Sequence, residues 1–167
     1  MKKKDIILIA GVVLVLVVAM FAMGGTKANK IEVPIVLSSE EVGLIKIDYP
    51  TYESKIENTE NFIVIIERTG CSYCEMYMPI VEAAANELSI PVYYIDTADL
   101  SEEEYTELGN SNNYLKREKW GTPTTLLLSG NIVVDSIGGY VEKEEFTSFI
   151  KKNIILEKPE EETTTLE

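Results

Sequence analysis

The sequence predicts an α/β domain, a mixed sheet with helices on both faces, preceded by one N-terminal transmembrane helix. Three observations carry this. Residues 6–23, "IILIAGVVLVLVVAMFAM", are eighteen uncharged, mostly aliphatic positions directly behind Lys2, Lys3 and Lys4. Two later runs, "FIVIIER" and "PVYYIDT", are apolar on both faces and rich in β-branched or aromatic residues, which suits strands in the middle of a sheet. Amphipathic helical patterns alternate with these and other strand-like runs along the chain.

As a helix, residues 6–23 reach about 27 Å, roughly the hydrocarbon thickness of a bilayer. No polar stripe interrupts the run, so it does not read as a buried core helix. The three lysines keep the N-terminus cytoplasmic and send everything after Met23 outside. A cleaved signal peptide is the competing reading. The run is longer than the usual apolar region of such peptides, and "AMFAMGG" offers no small-x-small cleavage site, so an uncleaved anchor is preferred. No cysteine follows the run, which excludes a lipoprotein anchor. The expected organisation is a cytoplasmic stub and anchor over 1–23, a linker over 24–40 that begins with the polar spacer "TKANKIEVP", one domain over 41–154 and an acidic disordered tail over 155–167. From Gly24 onward the chain holds twelve Lys and Arg against twenty-seven Asp and Glu, a formal charge of −15. Such a surface repels nucleic acid, which is not an expected partner.

Within the domain, "LIKIDYP" alternates apolar and polar residues and predicts a short edge strand ending at Pro50. "TYESKIENTEN" predicts a short helix with Thr51 as N-cap. The central strand "FIVIIER" follows. After Thr69–Gly70, "CSYCEMYMPIVEAAANELS" places Cys74, Tyr77, Met78, Val81, Ala84 and Leu88 on one helical face, with Pro79 inside the helix. "PVYYIDT" is the second central strand. Ser101 and Glu104 have the spacing of a capping box and start a helix in "SEEEYTELGNSNNYLKREKW". "TTLLL" and "NIVVDS" form a hairpin around Ser129–Gly130, Gly138–Gly139 breaks the chain, and "VEKEEFTSFIKKN" is the closing amphipathic helix. The predicted order is β-α-β-α-β-α-β-β-α.

Cys71 and Cys74 are the only two cysteines, and the chain has no histidine. A structural zinc site commonly needs four Cys or His ligands, so an intrachain one is close to excluded. Met76 and Met78 read as packing residues rather than copper ligands. As a structural staple the pair is poorly placed, because closing so small a loop constrains the unfolded chain little. A reactive pair explains the placement better. A buried strand delivers Cys71 to the first turn of a helix, where free N–H groups and the helix dipole stabilise a thiolate. Cys71 is then the exposed nucleophile. Cys74, one turn deeper, attacks the mixed disulfide and releases the partner.

This strand–Cys-Ser-Tyr-Cys–helix unit resembles the thioredoxin superfamily over about residues 51–154. Pro79 corresponds to the proline that kinks the family's active-site helix. "GTPTTLLL" is similar to the family's loop in which a proline, here Pro123, is cis beside the cysteines. The resemblance implies that the backbone at Thr122 and Pro123 holds an extended substrate segment by strand-like hydrogen bonds, with Tyr73 exposed beside it. Within the superfamily, "ENFIVIIERTGCSYCEMYMP" looks most like the small exported thioredoxin-like proteins of Gram-positive bacteria, including the bacteriocin transport accessory type. Three departures stand out. Gly70 replaces the usual aromatic residue, Ser72–Tyr73 replaces Gly-Pro, and Ile65 stands where thioredoxins bury an acid. Glu67, on the same strand face, is a candidate substitute for that acid. Trp120 is either a packing residue or a rim of the substrate groove.

The expected function is an extracytoplasmic, membrane-anchored thiol–disulfide oxidoreductase acting on thiols or disulfides of exported polypeptides. It needs no cofactor or metal, and it leaves room for a membrane redox partner. The direction of electron flow stays open. A helix N-terminus favours the thiolate and hence an oxidant, whereas the acidic surroundings oppose it. The alternative is a non-catalytic binding or assembly module, such as an exporter accessory, with a passive disulfide.

Overall fold

The computed structural model of the chain describes residues 35–117 and 119–156. The expected anchor, the linker up to residue 34 and the tail from residue 157 lie outside the described residues. Among the described residues, no helix is long and apolar enough to cross a membrane.

The elements run β1 (Gly43–Lys46), α1 (Tyr49–Glu57), β2 (Asn61–Glu67), α2 (Ser72–Leu88), β3 (Pro91–Asp96), α3 (Glu102–Asn110), α4 (Asn113–Arg117), β4 (Thr124–Ser129), β5 (Ile132–Gly138) and α5 (Lys143–Asn153). The strands form one mixed sheet in the order β1-β3-β2-β4-β5. β1 and β2 each pair parallel with β3, while β4 runs antiparallel to both β2 and β5. The two doubly apolar runs are therefore interior strands, as their pattern predicts, and β1 is an edge strand.

Side-chain alternation along β2 divides the core in two. Ile63 and Ile65 face one layer, with Tyr77, Val81 and Ala84 of α2 and Phe146 and Ile150 of α5. Phe62, Val64 and Ile66 face the other, with Tyr52 of α1, Leu108 of α3 and Leu115 of α4. Helices thus cover both faces. On α2 the fully buried stripe is Cys74, Tyr77, Val81, Ala84 and Ala85; Met78 and Leu88 sit at its margin, half-buried.

Three local details differ from the sequence reading. β1 ends at Lys46 rather than Pro50, because Asp48, not Thr51, caps α1: its carboxylate accepts the Thr51 N–H at 3.0 Å, and Pro50 lies in the first turn. The single helix expected after Ser101 is split. The capping box of Ser101 and Glu104 is present, but α3 stops at Asn110, and the buried Asn112 side chain accepts the N–H groups of Tyr114 and Leu115, starting α4. The chain also joins the domain before residue 41. Ile35 bridges Ile154 in parallel register, and Asn61 holds Ser38 and Val36 by hydrogen bonds. Ile35 and Leu37 are apolar and pack on the α2/α5 layer.

Candidate active site

β2 brings the chain to the site through a rigid run. Ile63 to Ile66 are fully buried, and Val64 to Ile66 are paired on both sides. Where the strand ends, two contacts from β3 hold the following loop. Thr97 donates from both its N–H and its hydroxyl to the Glu67 carbonyl, at 2.9 and 3.0 Å. The Asp96 carboxylate accepts the N–H and hydroxyl of Thr69 and, at 2.9 Å, the N–H of Ala98. Asp96 is only 4 % exposed. Burial pushes its pKa up, but the bonds from Thr69 and Ala98 outweigh this and hold the carboxyl below its ordinary range. Gly70 then turns the chain at φ +79°, a left-handed conformation that a side-chain-bearing residue adopts only with strain. This is the physical reason a glycine, not an aromatic residue, precedes the first cysteine.

The turn places Cys71 at the N-cap of α2. Its backbone is extended, and its sulfur accepts the Cys74 N–H at 3.3 Å, the bond that Ser or Asp usually makes at this position. The two sulfurs are 2.6 Å apart, with the Cys74 thiol donating to Cys71; both are free thiols. Their environments push the two groups apart. Partial burial works against the Cys71 thiolate, but bonds from the Cys74 thiol, from the Thr122 side chain and from the backbone N–H groups of Cys74 and Tyr73 outweigh it and hold the Cys71 pKa below an ordinary thiol. Cys74 is 2 % exposed, and that burial, together with its bond to Cys71, pushes its thiol up to about 11. The two shifts have opposite sign: the thiolate is favoured at Cys71 and the protonated thiol at Cys74.

The opposite wall is the turn before β4. The Thr122–Pro123 bond is cis. The Thr122 carbonyl oxygen lies 3.4 Å from the Cys71 sulfur. The Pro123 carbonyl is already used, accepting the Gly139 N–H at 2.8 Å, and Thr124 ties its hydroxyl to the Gly121 carbonyl at 2.6 Å. Tyr73 and Met76 stand out on the first turn of α2, 65 % and 55 % exposed, leaving apolar surface beside the reactive sulfur. Trp120 is half-buried and packs against Tyr105, with ring centroids 5.7 Å apart, at the edge of a hollow of about 540 Å³ that Thr122 also lines. It serves as packing and as a rim at once.

The structure therefore brings Cys71, Cys74, Thr122 and Pro123 together, with Tyr73 at the border. Among the described residues the Glu67 carboxylate makes no hydrogen bond to either cysteine. The Glu67 carboxyl is raised instead by burial and by the charge of Asp96, its neighbour across β2 and β3. Asp96 is a site residue that sequence reasoning missed. Its only signal was an acid closing the apolar run "PVYYID", and nothing in the sequence ties it to Thr69. Among the described residues there is no group of three or more His, Cys, Asp or Glu side chains placed to hold a metal ion.

No protein-family model matches the chain, and no curated protein matches it in sequence. Solved structures do match. Thioredoxin from Aeropyrum pernix superposes with a TM-score of 0.52 at 16 % identity, covering 68 % of this chain and 94 % of that one. A thioredoxin from Nicotiana alata gives 0.52 at 21 % identity over 71 % and 98 % of the two chains. Thioredoxin O1 from Arabidopsis thaliana, in its oxidized state, gives 0.51 at 11 % identity over 68 % and 99 %. The domain has the thioredoxin fold.

Proposed function

We propose that this chain is a thiol–disulfide oxidoreductase that works outside the cytoplasm, held to the membrane by residues 6–23. Its substrates are thiols or disulfides of exported polypeptides, and a membrane protein is its redox partner. On this reading it is one of the small exported thioredoxin-like proteins of Gram-positive bacteria, akin to the bacteriocin transport accessory type. The observation that carries the chemistry is the asymmetry of the pair. Cys71 is a half-buried N-cap sulfur whose pKa is held below that of an ordinary thiol, and Cys74 is a buried thiol 2.6 Å away whose pKa is pushed up. The thioredoxin fold of the domain supports the same reading.

The exchange follows from that geometry. The Cys71 thiolate attacks one sulfur of a substrate disulfide; that S–S bond breaks and the other substrate sulfur leaves as a thiolate. Cys71 is now linked to the substrate and no longer accepts the Cys74 proton. The leaving thiolate or water takes that proton, and the Cys74 sulfur attacks Cys71. The mixed disulfide breaks, the second substrate thiolate leaves, and the Cys71–Cys74 disulfide forms. Two electrons have passed to the substrate; the reverse sequence oxidises a dithiol. During the mixed-disulfide stage the Thr122 carbonyl is positioned to accept a backbone N–H from an extended substrate. The direct test is turnover of a peptide disulfide by the purified full-length chain, with loss of turnover in Cys71→Ser. Turnover that survives Cys71→Ser rejects the assignment.

A further inference from the structure

Beside the Cys71 sulfur the surface carries a second feature, which the exchange chemistry does not use. The hollow lined by Thr122 also has Arg68, Tyr105 and Trp120 in its wall. A second hollow, of about 480 Å³, lies on the other side of the same aromatic pair and is lined by Tyr105, Trp120, Lys116 and Lys119. The two share the Tyr105–Trp120 wall and so form one depression, lined at one end by Thr122, whose carbonyl oxygen lies 3.4 Å from the Cys71 sulfur, and at the other by Lys119. Among the described residues, every charged side chain lining it is a cation and no carboxylate lines either half. This stands out in a chain with 28 Asp and Glu against 15 Lys and Arg. Among the described residues, none of Arg68, Lys116 and Lys119 joins an ion pair. Asp96 pairs with none of them, its carboxylate being hydrogen-bonded to Thr69 and the Ala98 N–H.

We infer that this depression selects substrates whose cysteine is flanked by acidic residues, the flank lying over Tyr105 and Trp120 with its carboxylates against Arg68, Lys116 and Lys119. The inference rests on the oxidoreductase reading and adds the substrate class. Two electrostatic effects compete. The overall negative charge attracts basic peptides, whereas the local cations attract acidic ones. Screening decides between them: at physiological salt the Debye length is about 8 Å, so distant acids fade while cations within the depression still act on a bound segment. The aromatic walls supply contact area for the stems of Glu side chains.

The test uses the reduced full-length chain in a nonionic detergent. Three peptides of equal length carry one cysteine as a mixed disulfide with a chromophoric aromatic thiol, flanked by Glu, Gln or Lys. Attack by Cys71 expels the aromatic thiolate, whose absorbance reports the second-order rate constant. At about 0.15 M salt the Glu peptide should react about five- to tenfold faster than the Gln peptide, at roughly a factor of two per exposed ion pair. That ratio should fall to one or below in 1 M salt and in the double variant Lys116→Glu, Lys119→Glu. Equal rates for the Glu and Gln peptides, a fastest Lys peptide, or a ratio untouched by the double variant would overturn the inference. A small uncharged disulfide separates the two levels. If it reacts while the peptides show no charge preference, only the substrate class is wrong; if nothing reacts, the oxidoreductase reading falls with it.

Discussion

The Cys71 sulfur lies 3.4 Å from the carbonyl oxygen of Thr122, 51 residues further along the chain. The contact seats the N-cap of α2 against the turn before β4, so the reactive sulfur faces a backbone acceptor on one side and N–H and S–H donors on the other. A thiol can give its hydrogen to that carbonyl. A thiolate cannot, and it is held instead by the Cys74 N–H and S–H.

Alkylation should therefore separate the two cysteines. At pH 7 iodoacetamide should label Cys71 at least about tenfold faster than Cys74, because only Cys71 is both accessible and stabilised as thiolate. Peptide mass spectrometry across a pH series should place the Cys71 midpoint below the ordinary thiol value of about 8.5 and leave Cys74 unreactive until the pH nears 11. Equal labelling at pH 7 would reverse or cancel the assigned roles.

The same shifts set a pH dependence of stability in the reduced protein. Cys74 has a folded pKa raised above its unfolded value, so folding favours its neutral form. That contribution is complete below about pH 8.5 and disappears as the pH rises towards 11. Cys71 has the opposite sign: its contribution is present above about pH 8.5 and lost as the pH falls through its lowered folded value. Urea unfolding of the reduced chain should show a fall in stability between pH 9 and 11 that is smaller in Cys74→Ala. An unchanged fall in that variant would assign it to other groups, such as the tyrosines.

Asp96 should prove structural and acid-sensitive. Asp96→Ala removes the acceptor for Thr69 and Ala98, both exposed enough for water to replace it, so each lost bond should cost about 0.5–1.5 kcal/mol. Because the Asp96 pKa is lowered on folding, its contribution is present above the unfolded value of about 3.9 and lost as the pH falls through the folded one. The stability gap between wild type and variant, read by urea unfolding, should shrink towards pH 3. A gap independent of pH would show that packing, not the charged carboxylate, is what the variant removes.

The parts of this site differ in how readable they were from sequence, for physical reasons. β2 and α2 were legible because burial writes itself as periodicity: Ile63 and Ile65 against Phe62, Val64 and Ile66, and Tyr77, Val81 and Ala84 along one helix face. That Cys71 stands where the helix begins followed from its place after the strand; that its sulfur caps the helix did not. The Asp48 and Asn112 caps were not legible, since short polar residues read equally well as loop until a helix is seen to start behind them. The Asp96–Thr69 clamp spans 27 residues, and the cationic depression joins Arg68 to Lys116 and Lys119 through the Tyr105–Trp120 pair. Both depend on the crossover that sets β3 beside β2, which local pattern does not encode.

The proposed anchor makes a topological prediction. Protease added outside intact cells should digest the domain while residues 1–5 stay protected, and the membrane fraction should hold a chain that still contains residues 6–23. Recovery of a soluble form beginning near Gly24 would replace the anchor by a cleaved signal peptide.

Trapping tests the roles of the pair in the cell. Cys74→Ala leaves Cys71 able to attack and nothing able to resolve, so partners should accumulate as adducts that vanish on reduction. Comparing non-reducing with reducing gels of Cys74→Ala and of the Cys71→Ala, Cys74→Ala double variant checks this. Adducts that persist without Cys71 would exclude it as the attacking sulfur.

The reduction potential of the Cys71–Cys74 couple, measured against a glutathione series, tests the central claim most directly. A pair whose reduced form is stabilised by an N-cap thiolate and its donors should be readily reducible, with a potential above about −300 mV. A potential well below about −300 mV, where passive structural disulfides lie, would contradict the oxidoreductase account and leave a binding module on a thioredoxin fold.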